Sequence, residues 1–354
     1  MMISKIILSL LLVVATSAKK CSKSCEKISP YPTNFFEDIV PHFVNNRPTV
    51  GVLAMEILGQ KMLVEVPWSE NKDYFGSSFV KLLDAAGARA VPIKEDITKK
   101  DLNILLHKIN GVIIPGGDAD IGDSGYERIS KQIINHSKKM AKKNITFPVL
   151  GICRGAQMMM IAEADKDFLV ETDSLNYSIP LDFTDEARES RLFGHAPQGL
   201  FDALGTKAIT FNAHKAGIPT VNFYNNTKLM ETFRAISTNY DRNGTQFIST
   251  FEGRHAPLYG LQWHPEKSLF VFNPVLAVDH SIISIIAAQY ISNFFVSETR
   301  KNPNSFRDRA EEQSHLLLSH YPTYVGNITE TPYEQIYLFD FEKPYQKGKK
   351  PTEF

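Results

Sequence analysis

The chain has 354 residues, of which 43% are hydrophobic and 22% are charged, and its formal net charge at pH 7 is zero. A chain of this length and composition can bury a full hydrophobic core, as one large domain or two small ones. The neutral balance argues against a nucleic-acid-binding protein, because such proteins neutralise phosphate with an excess of lysine and arginine.

The first 18 residues have the layout of a secretory signal peptide. An apolar stretch runs from Ile6 to Val14, and small residues follow at Thr16 and Ala18. The stretch is shorter than the roughly 20 residues that cross a bilayer, so a cleaved signal is favoured over an uncleaved membrane anchor. We therefore expect entry into the secretory pathway and no membrane partner.

Two of the three cysteines, Cys21 and Cys25, follow directly after the expected cleavage point. They could form a disulfide, but the loop between them would be small, so an unpaired N-terminal segment is an equally good interpretation. Triplets of the form N-x-S/T are compatible with glycosylation after secretion. They begin at Asn135, Asn144, Asn176, Asn225, Asn243 and Asn327.

Short apolar runs alternate with helical periodicity in the first half of the chain. Strands are predicted at 49–54, 88–93, 111–114 and 147–152, and helices at 77–86, from Asp96 or Thr98 to 108, within 126–143, and at 156–162. Four strands alternating with four helices predict an α/β fold, with a doubly wound, mostly parallel central sheet flanked by helices.

The second half changes to shorter elements. Strands are predicted at 208–211, 234–238, 246–251 and 258–262, before a long apolar helix at 281–297. No Gly/Ser linker separates the halves, which favours a single domain. The expected layout is a signal peptide at 1–18, a lead-in at 19–46, the main domain at 47–340 and a basic tail at 341–354.

A candidate nucleophile, Cys153, lies at the switch from the predicted strand 147–152 to the helix that follows. Gly151 and Gly155 flank it in the G-x-C-x-G pattern of a nucleophile elbow, a sharp turn that needs small neighbours. The elbow would place the sulfur at a helix N-terminus, where the helix dipole favours a thiolate. An isolated cysteine is more often a small buried hydrophobic residue, so partners elsewhere must decide.

A Gly-Gly turn at 115–118 follows the third predicted strand, on the same sheet edge as Cys153. Its N–H groups can face a developing negative charge, because no side chain blocks the approach. The N–H groups of Gly117 and Arg154 are the candidate oxyanion hole, and Gly116 is a candidate substrate contact. A plain tight turn is the alternative.

His264 follows the predicted strand 258–262, and Pro265 and Glu266 come directly after it. A carboxylate on one ring nitrogen fixes the tautomer and leaves the other nitrogen to accept a thiol proton. His214 could line the substrate pocket or face solvent beside Lys215. No metal-ligand spacing, P-loop or dinucleotide fingerprint occurs, so no cofactor is expected.

Together the runs P-G-G-D, F-P-V-L-G-I-C-R-G-A-Q and G-L-Q-W-H-P-E-K resemble the class I glutamine amidotransferase-like superfamily. Further stretches narrow the resemblance to the γ-glutamyl hydrolase family. They lie at 78–81, 86–89, 109–111, 180–184, 212–215, 247–253 and 324–329. The resemblance extends from about residue 47 to residue 340.

This resemblance implies a cysteine hydrolase that cleaves γ-glutamyl amide bonds, in particular those of folate poly-γ-glutamates, through an acyl-enzyme. Cys153 matches the nucleophile of the family, His264 its catalytic histidine, Glu266 the triad acid of the amidotransferases, and His214 a histidine near the active site. The family also suggests a lysosomal, vacuolar or extracellular location, a small-molecule substrate as partner, and a homodimer.

Gln157 departs from the family pattern. Many γ-glutamyl hydrolases resemble C-x-G-x-E at this position, whereas glutamine amidotransferases have C-x-G-x-Q. We predict that Gln157 shares the pocket of Cys153 and binds the α-carboxylate or α-ammonium group of a γ-glutamyl unit. The alternative is that it faces the helix exterior and only supports helix formation.

Two rival functions follow from the same residues. An amidotransferase-like enzyme, or a hydrolase of small γ-glutamyl amines, would use the same thiol chemistry. An amidotransferase passes ammonia to a synthetase, however, and the predicted export signal makes a cytosolic synthetase partner improbable. A non-catalytic secreted binding protein on the same fold should lack one of Cys153, His264 and Glu266, and all three are present.

Overall fold

A computed structural model of the chain describes residues 44–57, 72–122, 124–326 and 333–340. Its strands are β1 (Thr49–Leu53), β2 (Met55–Glu56), β3 (Lys72–Gly76), β4 (Arg89–Ile93), β5 (Val112–Ile114), β6 (Val149–Ile152), β7 (Val170–Ile179), β8 (Asp182–Phe183), β9 (Thr210–Gly217), β10 (Phe233–Tyr240), β11 (Gln246–Gly253), β12 (Leu258–Leu261), β13 (Thr323–Val325) and β14 (Gln335–Asp340).

Its helices are α1 (Ser77–Asp84), α2 (Lys99–Leu106), α3 (Gly125–Ala141), α4 (Arg154–Ala164), α5 (Gln198–Thr206), α6 (Thr220–Tyr224), α7 (Thr227–Thr232), α8 (Pro265–Phe270), α9 (Ile282–Arg300), α10 (Arg309–His315) and α11 (Leu317–His320). A 3₁₀ helix covers Asp185–Glu189.

The central sheet has eight strands in the order β4-β1-β5-β6-β12-β11-β10-β8. The strands from β4 to β12 are parallel, and β11, β10 and β8 continue the sheet in antiparallel fashion. The inner strands β5, β6 and β12 are buried along their whole length, as expected where a parallel sheet is covered on both faces. The predicted α/β class and mostly parallel sheet are confirmed.

Two smaller sheets were not predicted. One has the order β13-β14-β3-β2, and the other pairs β7 with β9. Strands β2 and β3 of the four-stranded sheet lie between β1 and α1 in the chain, and they interrupt the predicted strand–helix alternation. The strand predicted at 208–211 is also longer than expected, because β9 extends to Gly217 as the partner of β7.

The helix boundaries follow the local signals of the sequence. Of the two residues proposed to cap α2, Thr98 is the cap, and its side chain accepts a hydrogen bond from Asp101 N. Gly87 has a φ of 79°, a backbone conformation that favours glycine, just past the end of α1. The nucleophile helix α4 begins at Arg154, earlier than the predicted 156.

One hydrophobic cluster runs through both halves of the chain, from Leu53 and Phe79 through Ile152 to Phe251 and Phe339. The described residues from 44 onward therefore share one core, in agreement with the predicted single domain.

Several predictions concern residues outside the described ranges. These are the signal peptide, the pairing of Cys21 and Cys25, the sequon at Asn327 and the basic tail. The asparagines of the other five sequons are all exposed. Among the helices that the structure describes, none combines the length and apolarity needed to cross a membrane.

Candidate active site

Three neighbouring strands of the central sheet end at one site. The loop 115–118 follows β5, Cys153 follows β6, and His264 comes soon after β12, and these strands are adjacent in the order β5-β6-β12. Because the carboxyl ends of parallel strands meet at one edge of a sheet, three segments far apart in sequence converge there.

The turn at Cys153 has the geometry of an elbow. The backbone φ of Cys153 is 53°, a value that side-chain-bearing residues rarely adopt, and the residue is buried. Glycine is required on both sides of it. A Cβ at Gly155 would lie 1.9 Å from the backbone oxygen of Ile114, and one at Gly151 would lie 2.7 Å from the backbone of Gly155.

His264 and Glu266 form a buried pair beside Cys153. His264 precedes α8, with Pro265 at the first helical position, and Glu266 lies in the first turn. His264 Nδ1 and Glu266 Oε1 are 2.7 Å apart. Within the described residues the second carboxylate oxygen of Glu266 has no hydrogen-bond partner. The pair is therefore a charged unit taken out of water.

The electrostatics of this pair favour an imidazolium. Burial alone would lower the pKa of His264, but the Glu266 carboxylate and the Cys153 sulfur outweigh burial and raise it. For Glu266, burial acts to raise the pKa, yet His264 and the neighbouring Lys267 hold it below its usual value. Protonated His264 is thus stabilised from two sides.

Gly116 lies directly against Cys153 and His264. A Cβ built on it would be 2.9 Å from Cys153 Cβ and 3.0 Å from His264 Cε1, so a larger residue would fill the space between thiol and imidazole. The loop is held from behind by two buried tyrosines. Tyr126 Oη donates to the carbonyl of Pro115 at 2.6 Å, and Tyr333 Oη donates to the carbonyl of Gly116 at 3.1 Å.

His214 lies on β9 and is buried, so the solvent-facing alternative was wrong. Its Nδ1 is 3.0 Å from Thr172 Oγ1, and its ring packs edge-on against Phe247. Burial, with a smaller contribution from the charge of His264, lowers the pKa of His214 to about 3. It is therefore a neutral residue near His264.

Gln157 is only 2% exposed, so the alternative that it faces the helix exterior was also wrong. Its Nε2 donates to the carbonyl of Ala216 at 2.7 Å and to Gln262 Oε1 at 3.0 Å, and its Oε1 accepts from Arg154 Nη1 at 3.1 Å. Both amide hydrogens are occupied by the protein. Binding of substrate by Gln157 stays a prediction.

Sequence reasoning missed Gln262, Tyr126 and Tyr333. Gln262 Nε2 donates to Cys153 Sγ at 3.6 Å. A signal for it existed, because Gln262 is the last residue of the predicted strand 258–262 and precedes His264 by two positions. No local pattern points to the tyrosines, since Tyr333 reaches Gly116 across 217 positions.

Across the part of the chain that is described, no group of three or more His, Cys, Asp or Glu side chains is placed to hold a metal ion.

Comparison with known proteins agrees with this arrangement. The family model for glutamine amidotransferase class-I matches residues 71–281, which places the fold in that class. γ-Glutamyl hydrolase of Mus musculus is 36% identical over 84% of this chain and 90% of its own length. The Homo sapiens γ-glutamyl hydrolase is 36% identical over 83% and 90%, and γ-glutamyl hydrolase B of Dictyostelium discoideum is 35% identical over 84% of each chain. The chain belongs to the γ-glutamyl hydrolase family.

Proposed function

We propose that this protein hydrolyses γ-glutamyl amide bonds, with folate poly-γ-glutamates as substrate, and that Cys153 is the nucleophile. The observation that carries the proposal is the meeting of Cys153, the His264–Glu266 pair and the Gly-Gly loop at one sheet edge. The names of the relatives supply the type of bond.

The reaction follows from these positions. The thiolate of Cys153 attacks the γ-carbonyl carbon, and the carbonyl electrons move to oxygen. As the tetrahedral intermediate collapses, the C–N bond breaks and His264 gives a proton to the leaving amine. Water then attacks the thioester carbon and passes one proton to His264. The C–S bond breaks, which restores the thiolate and releases the γ-carboxylic acid, and this acid ionises in solvent.

Glu266 sets the tautomer and stabilises the charge of His264 for both steps. Because the carboxylate accepts from Nδ1, the other ring nitrogen is left to face the reacting groups. The negative charge of Glu266 also stabilises the imidazolium that donates the proton.

The backbone orientation of the loop supports an oxyanion hole at Gly117 and Arg154. In a trans peptide the C=O and N–H groups point to opposite sides. The Gly116 carbonyl accepts from Tyr333, so the Gly117 N–H is directed away from that tyrosine. Arg154 is the first residue of α4, and its N–H has no partner within the helix. We assign both N–H groups to the developing oxyanion.

A glutaminase-type activity is the second candidate, because Gln157 has the residue type of the amidotransferases at this position. The wider proposals are a secreted, lysosomal or vacuolar location after removal of residues 1–18, and a homodimer. They rest on the N-terminal sequence and on the resemblance to the family.

The test is product analysis with purified protein. Pteroyl-γ-triglutamate and glutamine are incubated separately with the wild type and with Cys153→Ala, and products are separated by chromatography. We expect shortened pteroyl species and released glutamate or γ-linked peptide, with little ammonia from glutamine and no turnover by the variant. Ammonia release from glutamine without cleavage of the triglutamate would overturn the proposal in favour of the second candidate.

A further inference from the structure

The parallel register of β6 and β12 brings Gln262 next to Cys153. Leu261 pairs with Ile152, and Cys153 N donates to the carbonyl of Leu261 at 2.7 Å, so the residues that follow these partners are neighbours. Gln262 is buried, and its backbone N–H donates to Ser249 O on β11 at 2.8 Å. Its side chain therefore starts from a fixed backbone position beside the sulfur.

Three side chains form a continuous hydrogen-bonded row that ends on this sulfur. Arg154 Nη1 donates to Gln157 Oε1 at 3.1 Å, and Gln157 Nε2 donates to Gln262 Oε1 at 3.0 Å. Gln262 Nε2 then donates to Cys153 Sγ at 3.6 Å. Every bond in the row points its hydrogen toward the cysteine, and successive bonds aligned in this way polarise one another.

The direction of the row is set by groups that cannot reverse roles. A guanidinium only donates and a backbone carbonyl only accepts. Gln157 lies between the guanidinium of Arg154 and the carbonyl of Ala216, so its oxygen must face Arg154 and its nitrogen must face Ala216. An amide hydrogen of Gln157 is thereby left for Gln262 Oε1, which turns the Gln262 nitrogen toward Cys153.

We propose that Gln262 is a positioning residue that holds Cys153 in its thiolate form, and that Gln157 and Arg154 fix the direction of its amide. The inference rests on the proposed role of Cys153 as nucleophile. In this proposal Gln157 acts without contacting the substrate, because both of its amide hydrogens are donated to groups within the protein.

The test is the pH dependence of iodoacetamide alkylation, followed on the Cys153 peptide by mass spectrometry. Gln262→Met keeps the length of the side chain but removes the donor. We expect the midpoint of its rate–pH curve to rise by about one pH unit, the value of one hydrogen bond to a charged group. Gln262→Glu places a carboxylate against the sulfur and should raise the midpoint further.

The matched control is Thr250→Val. It removes a buried hydrogen bond from Trp263 Nε1, 3.1 Å long, at the residue next to Gln262. This control should leave the midpoint unchanged. Equal midpoints in the wild type, Gln262→Met and Gln262→Glu would overturn the proposal, and so would an equal rise in Thr250→Val.

A third variant covers the case in which neither Gln262 variant folds. Gln157→Met lies on α4 and leaves the β12 segment intact, and it should raise the midpoint by a smaller amount. An unchanged midpoint in a folded Gln157→Met protein would then contradict the proposed effect of the hydrogen-bonded row on Cys153. Because alkylation needs no substrate, a failure here is distinct from a failure of wild-type protein to cleave γ-glutamyl bonds.

Discussion

Cys153 adopts a backbone conformation, φ 53° and ψ −110°, that costs a non-glycine residue about 1–3 kcal/mol. Close packing of the neighbouring backbone holds this conformation. Gly155 packs tightly against Ile114, and Gly151 packs tightly against Gly155. The strain presents the sulfur to the Gly-Gly loop and to His264. Stability is thus given up at one residue for the geometry of the reaction.

The relative contributions of His264 and Glu266 to kcat/KM can be measured with single substitutions. In the proposed mechanism His264 carries the proton, whereas Glu266 only orients the imidazole and stabilises its charge. His264→Ala should therefore reduce kcat/KM by roughly tenfold to a hundredfold more than Glu266→Gln. Steady-state kinetics of both variants checks the order. A larger loss in Glu266→Gln would show that the roles are assigned wrongly.

A pH profile gives a second readout of the same pair. The proposed mechanism uses imidazolium as the acid, so activity should fall as pH rises through the raised pKa of His264. Without the negative charge of Glu266 this pKa is lower, and the alkaline limb of kcat/KM in Glu266→Gln should begin at a lower pH. An alkaline limb at the wild-type position would contradict the assigned electrostatics.

Secondary-structure elements bring these residues together through the order of strands. The sequence predicted β5, β6 and β12 and placed their ends on one edge, because apolar runs, glycines and strand–helix alternation are local signals. It did not predict that β12 pairs with β6 in the register that places Gln262 beside Cys153. Register between distant parallel strands depends on the whole sheet, so local signals pointed to Cys153, His264 and Glu266 as candidates but not to Gln262.

The packing of α4 against β5 can be tested with one substitution. In Gly155→Ala the new Cβ would meet the backbone oxygen of Ile114 at 1.9 Å, and backbone cannot move aside cheaply. We expect a loss of several kcal/mol in the free energy of unfolding, on the scale of a severe overpacking change. Urea unfolding followed by circular dichroism measures it.

Gly199→Ala is the matched control, since nothing lies within 4 Å of the Cβ it would add in α5. That variant should be neutral or slightly stabilised, because alanine has the higher helix propensity. Similar stability of the two alanine variants would mean that α4 does not press on β5 as described.

Across the whole molecule, the parts that the sequence did not predict are those whose partners lie far away along the chain. β7 reads V-E-T-D-S-L-N-Y-S-I, without an apolar run, and becomes a strand only through pairing with β9. β14 pairs with β3, more than 250 positions earlier, and Tyr333 just before it reaches the Gly-Gly loop. The central sheet could be predicted from local pattern, whereas these additions depend on tertiary pairing.

The five described sequon asparagines are exposed, at Asn135, Asn144, Asn176, Asn225 and Asn243. Their exposure is compatible with the proposed secretory route, because each could carry a glycan without disturbing the core. The thiol of Cys153, by contrast, is buried at the sheet edge. The sequon asparagines are thus accessible from solvent, whereas Cys153 is shielded from it.

The proposed mechanism requires that Cys153 forms a thioester with the γ-glutamyl group. The most direct measurement is to mix the protein with excess pteroyl-γ-diglutamate, quench in acid during turnover, and determine the mass of the peptide that contains Cys153. We expect a mass increase equal to the pteroyl-monoglutamyl acyl group on that peptide, absent from Cys153→Ser. Continued cleavage of the diglutamate by Cys153→Ser, or an adduct found only on another residue, would contradict it.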